Sequence, residues 1–488
     1  MNKKWIYLFW IAVFIAEPQV GWADSGGADL KSMQVSLESL KQQLTGMQQT
    51  IDQQNLRIQQ LESQRVLETP QPAVPVQSDK ADTEMKNKIK EGVWEALPWL
   101  KGAKMGGDFR LRYENFMAAH KNDEAGSTGT ATDRDRNRFR FRLRWGLEKD
   151  LGQDWKTGFR LSTGSTTDQT SEMQTLGNAG YFTYKNIFID KAWAGYTPSF
   201  LQKKGNLEEF KTSFGKFDNP FLRYSSPVVW DSDITPEGAA EQAIFNIPTS
   251  ADHKLKLQTV AGQFIMNENA ALESDAQIWA YQAALADSTT AFGTKEPVDL
   301  ASAVAFYDYT NWFQTISNNT ASVSFLRNNT LAADDFRVLD LYEEIAFYWD
   351  KKPVVAWFDY ATNLANVGTD DAARSGGNSI HDDDHAWALG VKLGKTKKKG
   401  DWEISYAFYR IGVNAVVAAF NDSDFAGPGQ VGFTNRLSHK IGLAYQMTDA
   451  LTLNLKSGIG RALHPNADVA NSTHETVYRS QIDMDYKF

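Results

Sequence analysis

The chain has 488 residues, no cysteine and a formal net charge of -9. A chain this long has room for more than one domain. The missing cysteine excludes a disulfide framework and a thiolate metal site, and the acidic balance argues against a nucleic-acid binder. Mean hydropathy is that of a soluble protein, but a membrane barrel alternates apolar and polar residues and averages out the same way.

The chain opens like an export signal. Lys3 and Lys4 supply a basic start, and Trp5 to Ala16 form an apolar run too short to span a bilayer as a helix. Gly21-Trp22-Ala23 places small residues at the two positions a signal peptidase reads, which predicts a signal peptide over 1–23. No later run reaches the ~18 apolar residues a spanning helix needs. Membrane residence would therefore have to be as a closed barrel, whose strands satisfy one another's backbone groups.

Residues 24–68 read as a periplasmic coiled coil. Leu30, Leu37, Leu44, Ile51 and Ile58 take one heptad position; Met33, Leu40, Met47 and Leu61 take the other, with Gln54 as its polar exception. A 3.5-residue stripe requires partner helices to cover it; the other reading is a lone amphipathic helix lying on the barrel or the membrane. Residues 69–83, with Pro70, Pro72 and Pro75, form an extended linker. A short amphipathic pre-barrel segment follows over 84–104, with Trp94 and Trp99 placed for a membrane interface.

Over 105–488 the period becomes two. Asp108 to Glu114 alternates apolar and charged residues, and Arg136 to Trp145 sets arginine on one face against Phe139, Phe141, Leu143 and Trp145 on the other. The pattern recurs at Trp387, Leu389, Val391 and Leu393, at Trp402, Ile404, Tyr406 and Phe408, and at Leu451, Leu453, Leu455 and Ile459. It ends with Tyr478, Ile482, Met484, Tyr486 and Phe488 outward and Arg479, Gln481, Asp483, Asp485 and Lys487 inward. No amphipathic helices follow to cover a soluble sheet, so the expected fold is all-β, a transmembrane antiparallel barrel of about 16 strands. The expected starts are 106, 136, 154, 185, 208, 237, 254, 275, 298, 336, 353, 385, 401, 435, 449 and 475. Short linkers (150–153, 350–353, 396–400 and 447–449) alternate with long ones near 119–135, 165–184, 218–236, 311–335, 366–384, 413–434 and 462–474. Periplasmic turns and extracellular loops differ in this way. The turns near 200–206 and 288–297 are longer than the scheme expects, which leaves the count open by two.

Arg110, Arg112, Arg138, Arg140, Arg142, Arg144, Lys156 and Arg160 come from three consecutive strands with lumen parity. Strands about 4.8 Å apart make these one patch. Guanidinium keeps its charge and binds carboxylate or phosphate through two hydrogen bonds. One reading is a pore lining of a single sign that draws anions. The other is that lumen carboxylates tie the arginines up as bracing.

The run Gly107 to Glu114, the stretch Arg136 to Glu148 and Phe214-Gly215-Lys216-Phe217-Asp218-Asn219-Pro220-Phe221 resemble the bacterial outer-membrane "putative porin" family, over roughly residues 100–488. The resemblance implies an outer-membrane channel for passive diffusion, set among lipid and lipopolysaccharide, with no cofactor. Tyr486-Lys487-Phe488 is similar to the signature by which barrel assembly machinery recognises its clients. The coiled coil ahead of a barrel resembles anion-selective porins with trimerising periplasmic arms, which implies a homotrimer. In general porins the loop at the place of residues 218–237 folds inward. Its acids here are Asp218, Asp231, Asp233 and Glu237, which would then face the arginines as a constriction loop across a transverse field. The other reading is an ordinary extracellular loop.

His381-Asp382-Asp383-Asp384-His385 has imidazole and carboxylate groups a divalent metal could use, but an acid run in a polar loop is usually solvated, and no metal site is expected. The chain has no G-x-S-x-G, H-E-x-x-H or P-loop motif, so no enzyme is expected. The rival expectations are a structural tether between membrane and periplasm and a barrel sheath around a separate cytochrome.

Overall fold

The computed structural model describes residues 101–119, 136–165, 169–177, 180–268, 274–294, 296–311, 336–365, 383–425, 434–464 and 476–488. The expected signal peptide, coiled coil, linker and all but the last residues of the pre-barrel segment lie outside the described residues.

Among the described residues seventeen strands follow in chain order: β1 (Lys104–Ala119), β2 (Arg136–Gly152), β3 (Trp155–Thr163), β4 (Gln174–Thr175), β5 (Ile187–Tyr196), β6 (Leu207–Lys216), β7 (Glu237–Ile247), β8 (His253–Asn267), β9 (Ala276–Thr289), β10 (Val298–Thr310), β11 (Phe336–Trp349), β12 (Lys352–Asn363), β13 (His385–Gly394), β14 (Trp402–Ile411), β15 (Arg436–Gln446), β16 (Leu451–Ala462) and β17 (Thr476–Lys487). β4 is a two-residue rung that pairs with β2 beyond the end of β3. The other sixteen run antiparallel to their neighbours, and β1 pairs with both β2 and β17, so the sheet closes into a 16-strand barrel. Their starts fall within two residues of those expected. The turns over 197–206 and 290–297 are simple connections between antiparallel neighbours, which resolves the count.

Connections alternate between the two ends of the barrel. One end carries the turns over 153–154, 197–206, 248–252, 290–297, 350–351, 395–401 and 447–450, together with Lys104 and Lys487; the other carries the remaining connections, all of them longer except 268–275. At the closure, the Gly107 N–H donates to the Phe488 carbonyl at 2.9 Å and the Phe488 N–H to the Gly107 carbonyl at 3.1 Å. A Cβ at position 107 would clash with the Arg144 carbonyl oxygen of β2 and meet the Phe488 ring at 2.9 Å, so only glycine fits between β2 and the terminal ring.

The outer face follows from side-chain parity. Phe109, Phe139, Leu143, Trp145, Ile441, Leu443, Ile482 and Met484 are exposed, and Trp155, Trp349, Tyr445 and Tyr486 lie outward near the turn end, as an aromatic girdle would. The inner face departs from the polar lumen expected. On β9, β10, β12 and β13 it is built from Ala280, Ala284, Ala301, Ala303, Ala305, Ala361, Ala386 and Ala388, with Tyr307 and Tyr309 on β10. The reason is that the 217–236 loop and residues 412–425 of the 412–435 loop fold into the barrel and pack there. Phe221, Val228, Val229 and Trp230 of the 217–236 loop and Val416, Val417 and Phe425 of the 412–435 loop are buried in one cluster with this wall. Alanines leave room for large loop side chains at interior packing density. Trp230 lies edge-on to Tyr307 at 5.6 Å and stacks on Phe420 at 5.6 Å.

Candidate functional site

The opposite wall, made by β1, β2 and β17, carries the charge. In-register pairs place Arg110 beside Asp485 and Arg112 beside Asp483, with Arg142 and Arg140 on the other flank of β1. Arg110 Nε donates to Asp485 at 2.5 Å, and Arg112 donates to Asp483 through Nε at 2.6 Å and Nη2 at 2.8 Å. Glu114 is wholly buried and accepts from Arg138 Nε at 2.5 Å, Arg479 Nε at 2.8 Å and Gln481 Nε2 at 2.9 Å. Phe116 lies between the Arg138 and Arg479 guanidinium groups, at 5.3 and 4.8 Å.

Residues 171–173 of a third loop cover the arginines of β2 and β3. Glu172 sits 3.5 Å from Arg142, 3.1 Å from Arg144 and 3.2 Å from Arg160. Arg142 and Arg144 also hold Asp108, at 2.8 and 2.7 Å. Arg140 donates to the Met173 carbonyl at 2.9 Å and to Ser171 Oγ at 3.2 Å. Arg160 pairs with Asp190, the extra residue of a bulge in β5 that turns both Asp190 and Lys191 inward. Lys156 is exposed and lies in register with Asp150 near the turn end, away from the others. The reading of a lining of a single sign is therefore corrected in favour of the other one offered, bracing by lumen carboxylates, because buried guanidinium groups need counter-charges.

Of the four acids expected in a constriction loop, two enter the lumen. Asp233 comes within 3.7 Å of Arg142. Asp231 is 5% exposed and accepts from the backbone N–H groups of Asp233 at 2.8 Å and Ser423 at 3.1 Å. Asp218 instead pairs with Lys191 at 2.5 Å with its carboxylate largely exposed. Glu237 starts β7 and pairs with Lys216 at 2.9 Å on the outward parity. Neither faces the arginines of β2.

The 412–435 loop, expected among the long extracellular linkers, meets the 217–236 loop inside the barrel. The Asp231 N–H donates to the Phe420 carbonyl at 2.6 Å and the Asp422 N–H to the Pro227 carbonyl at 3.0 Å. The 217–236 loop also reaches the far wall, where the Ser226 N–H donates to Asp359 at 2.7 Å and Arg223 pairs with Glu344 at 3.1 Å. Asp422 pairs with Lys440 at 2.5 Å and Asp424 with Arg479 at 2.7 Å.

Between the loops and the charged wall lies a cavity of about 530 Å³. Arg110, Arg112, Arg142, Arg144, Lys440 and Lys456 face it from the wall. Asp231, Asp233, Asp422 and Asp424 face it from the loops, with Ser225, Ser226 and Ser232 beside them. Burial, Asp422 and Asp233 raise the Asp231 carboxyl well above the usual carboxylate range. Burial acts the same way on Asp424, but Arg479 and Arg112 prevail and hold it well below that range. Burial and Asp233 push Glu172 up to about 7 against the pull of Arg144 and Arg142.

Sequence reasoning missed Glu172, Asp422, Asp424, Lys440 and Lys456. A signal existed for the 412–435 loop: Val413 to Phe420 is apolar apart from Asn414, which an exposed loop would not be. The acid run near residue 384 serves local pairing. Asp383 binds Arg410 at 2.7 Å and His464 at 2.9 Å, and Asp384 binds His385 at 3.0 Å; His381 and Asp382 lie outside the described residues.

A family model described as putative porin matches residues 127–331 and 315–488. No curated protein matches. Among solved structures, the chain is similar to OprB of Pseudomonas putida at high pH, with 10% identity, 80% of this chain and 94% of that chain covered, and a TM-score of 0.46. It is similar to OmpF of Salmonella typhi in complex with daunomycin, with 9% identity, 79% and 98% covered, and a TM-score of 0.45. It is also similar to the outer membrane channel DcaP of Acinetobacter baumannii, with 13% identity, 79% and 97% covered, and a TM-score of 0.38.

Proposed function

The chain belongs to the putative porin family, and from that premise we propose that it passes small hydrophilic, preferably anionic, solutes across the outer membrane by passive diffusion. The observation that carries this reading is the cavity between a wall bearing arginines and lysines and loops bearing Asp231, Asp233, Asp422 and Asp424. A solute passing there crosses a transverse field, which orders polar molecules and favours those whose charge the field accommodates. Arg110, Arg112, Arg142 and Arg144 are the basic side of this constriction; Arg138, Arg140 and Arg160 brace the wall behind it, and Lys156 lies toward the turn end.

In this reading the turn end is periplasmic and the loop end extracellular. Residues 1–23 are removed on export. The heptads of residues 30–61 join three chains in the periplasm, because an apolar stripe of that period needs partner helices. The test is the reversal potential of the full-length protein in a planar bilayer under a KCl gradient. Because carboxylates balance the arginines, the expected result is a modest anion preference at low salt that fades as screening shortens to about 10 Å near 0.1 M. Cation preference at every salt concentration would overturn the anionic part of the reading, and absence of conductance would overturn the channel itself.

A further inference from the structure

Among the cations that face the cavity, Lys456 differs from the rest. It lies on the inward parity of β16, in register with Gln481 and Gly442 rather than with an acid. It is exposed to the lumen, and among the described residues it makes no ion pair. Arg110 is the second partly uncommitted group. Its Nε is held by Asp485, while its terminal amino groups have no acceptor among the described residues. The cavity acids are differently placed. Asp422 and Asp424 are ion-paired, Asp233 stands near Arg142, and Asp231 is buried with its carboxylate taken by backbone N–H groups. The charge left available to a solute is thus positive.

We propose that Lys456 and Arg110 form a holding subsite for small polyhydroxylated carboxylates, an inference that rests on the channel reading. One free ammonium and one free guanidinium edge match a single carboxylate. A dianion would stand against Asp233, Asp422 and Asp424, which line the same space. Hydroxyl groups on the solute can exchange water for Ser232, which is exposed on the 217–236 loop, and for the neighbouring serines of that loop. A volume of about 530 Å³ lies within the range of small-molecule sites.

The test is single-channel recording of the full-length protein in KCl, with sodium gluconate as the charged probe and glucose as the neutral one. Gluconate should interrupt the current in a saturable way and glucose should not. In Lys456→Gln the interruptions should shorten about tenfold or more, as expected for loss of one hydrogen bond to a charged group. Lys456→Arg should restore them, and heat-modifiable migration on a gel reports that each variant is folded. Equal interruption by glucose, or interruptions indifferent to Lys456→Gln, would overturn the subsite while leaving the channel reading intact. A protein that conducts no ions would overturn both.

Discussion

Two walls of one barrel obey the same two-residue alternation and are filled in opposite ways. The inner face of β1, β2 and β17 is a lattice of ion pairs centred on Glu114, Asp483 and their arginines. The inner face of β9, β10, β12 and β13 is mostly alanine and aromatic, covered by Trp230, Phe221 and the apolar part of the 412–435 loop, with Gln282 and Asp359 hydrogen-bonded to the 217–236 loop. Parity decides only which side of the sheet a residue takes. What covers that side decides whether it is polar, since loop side chains exclude water as effectively as lipid does. The loops thus fill the lumen on the apolar side and leave the cavity on the charged side.

The largest expected effect lies at the centre of the ion-pair lattice. Glu114→Gln leaves Arg138, Arg140 and Arg479 without their shared carboxylate, and removing one member of a buried charge network costs about 3–5 kcal/mol. Urea unfolding of the reconstituted barrel should show a loss of that size; an unchanged midpoint would mean that the lattice does not brace the wall. On the apolar side, Trp230→Ala should cost about 3 kcal/mol of loop docking, toward the lower end for such truncations, without unfolding the strands. The measurement is single-channel conductance, which should rise as the 217–236 loop leaves the wall.

Smaller effects sharpen the comparison. Asp233→Asn removes a partly buried partner that stands 3.7 Å from Arg142, beyond hydrogen-bond distance, a contact worth about 1 kcal/mol. Stability should hold while the reversal potential moves toward anions. The smallest effect is that of pH. Glu172 is faced by Arg142 and Arg144 from β2, Arg160 from β3, Asp190 from β5 and Asp233 from the neighbouring loop, and its carboxyl is pushed up to about 7. As pH falls from 8 to 6 it takes up a proton and the three arginines lose a counter-charge. Anion preference should therefore increase on acidification, and this increase should vanish in Glu172→Gln.

The strands were legible because alternation is local: Arg136 to Trp145 shows both faces of β2 within ten residues. The partners of those arginines were only half legible. Asp483 and Asp485 could be placed inward by parity, but no local pattern joins Arg112 to a carboxylate 371 residues away. Asp422 and Asp424 were hidden because loop direction depends on what the loop packs against. The composition of Val413 to Phe420 carried that information. Glu237 was misplaced for a simpler reason: it was counted with the loop although it is the first residue of the strand expected at 237, whose parity turns its side chain outward to Lys216.

The crossing of the 217–236 and 412–435 loops within the lumen can be tested directly, since the chain has no cysteine of its own. The Asp422 N–H donates to the Pro227 carbonyl at 3.0 Å, which places the two residues within reach of a disulfide. The variant carrying Pro227→Cys and Asp422→Cys, folded in the membrane and exposed to mild oxidant, should form an intramolecular cross-link and still conduct ions. If both thiols stay reduced and react with a bulky reagent added from outside, the loops do not meet in the lumen, and the division of the barrel into a filled half and a conducting half is wrong.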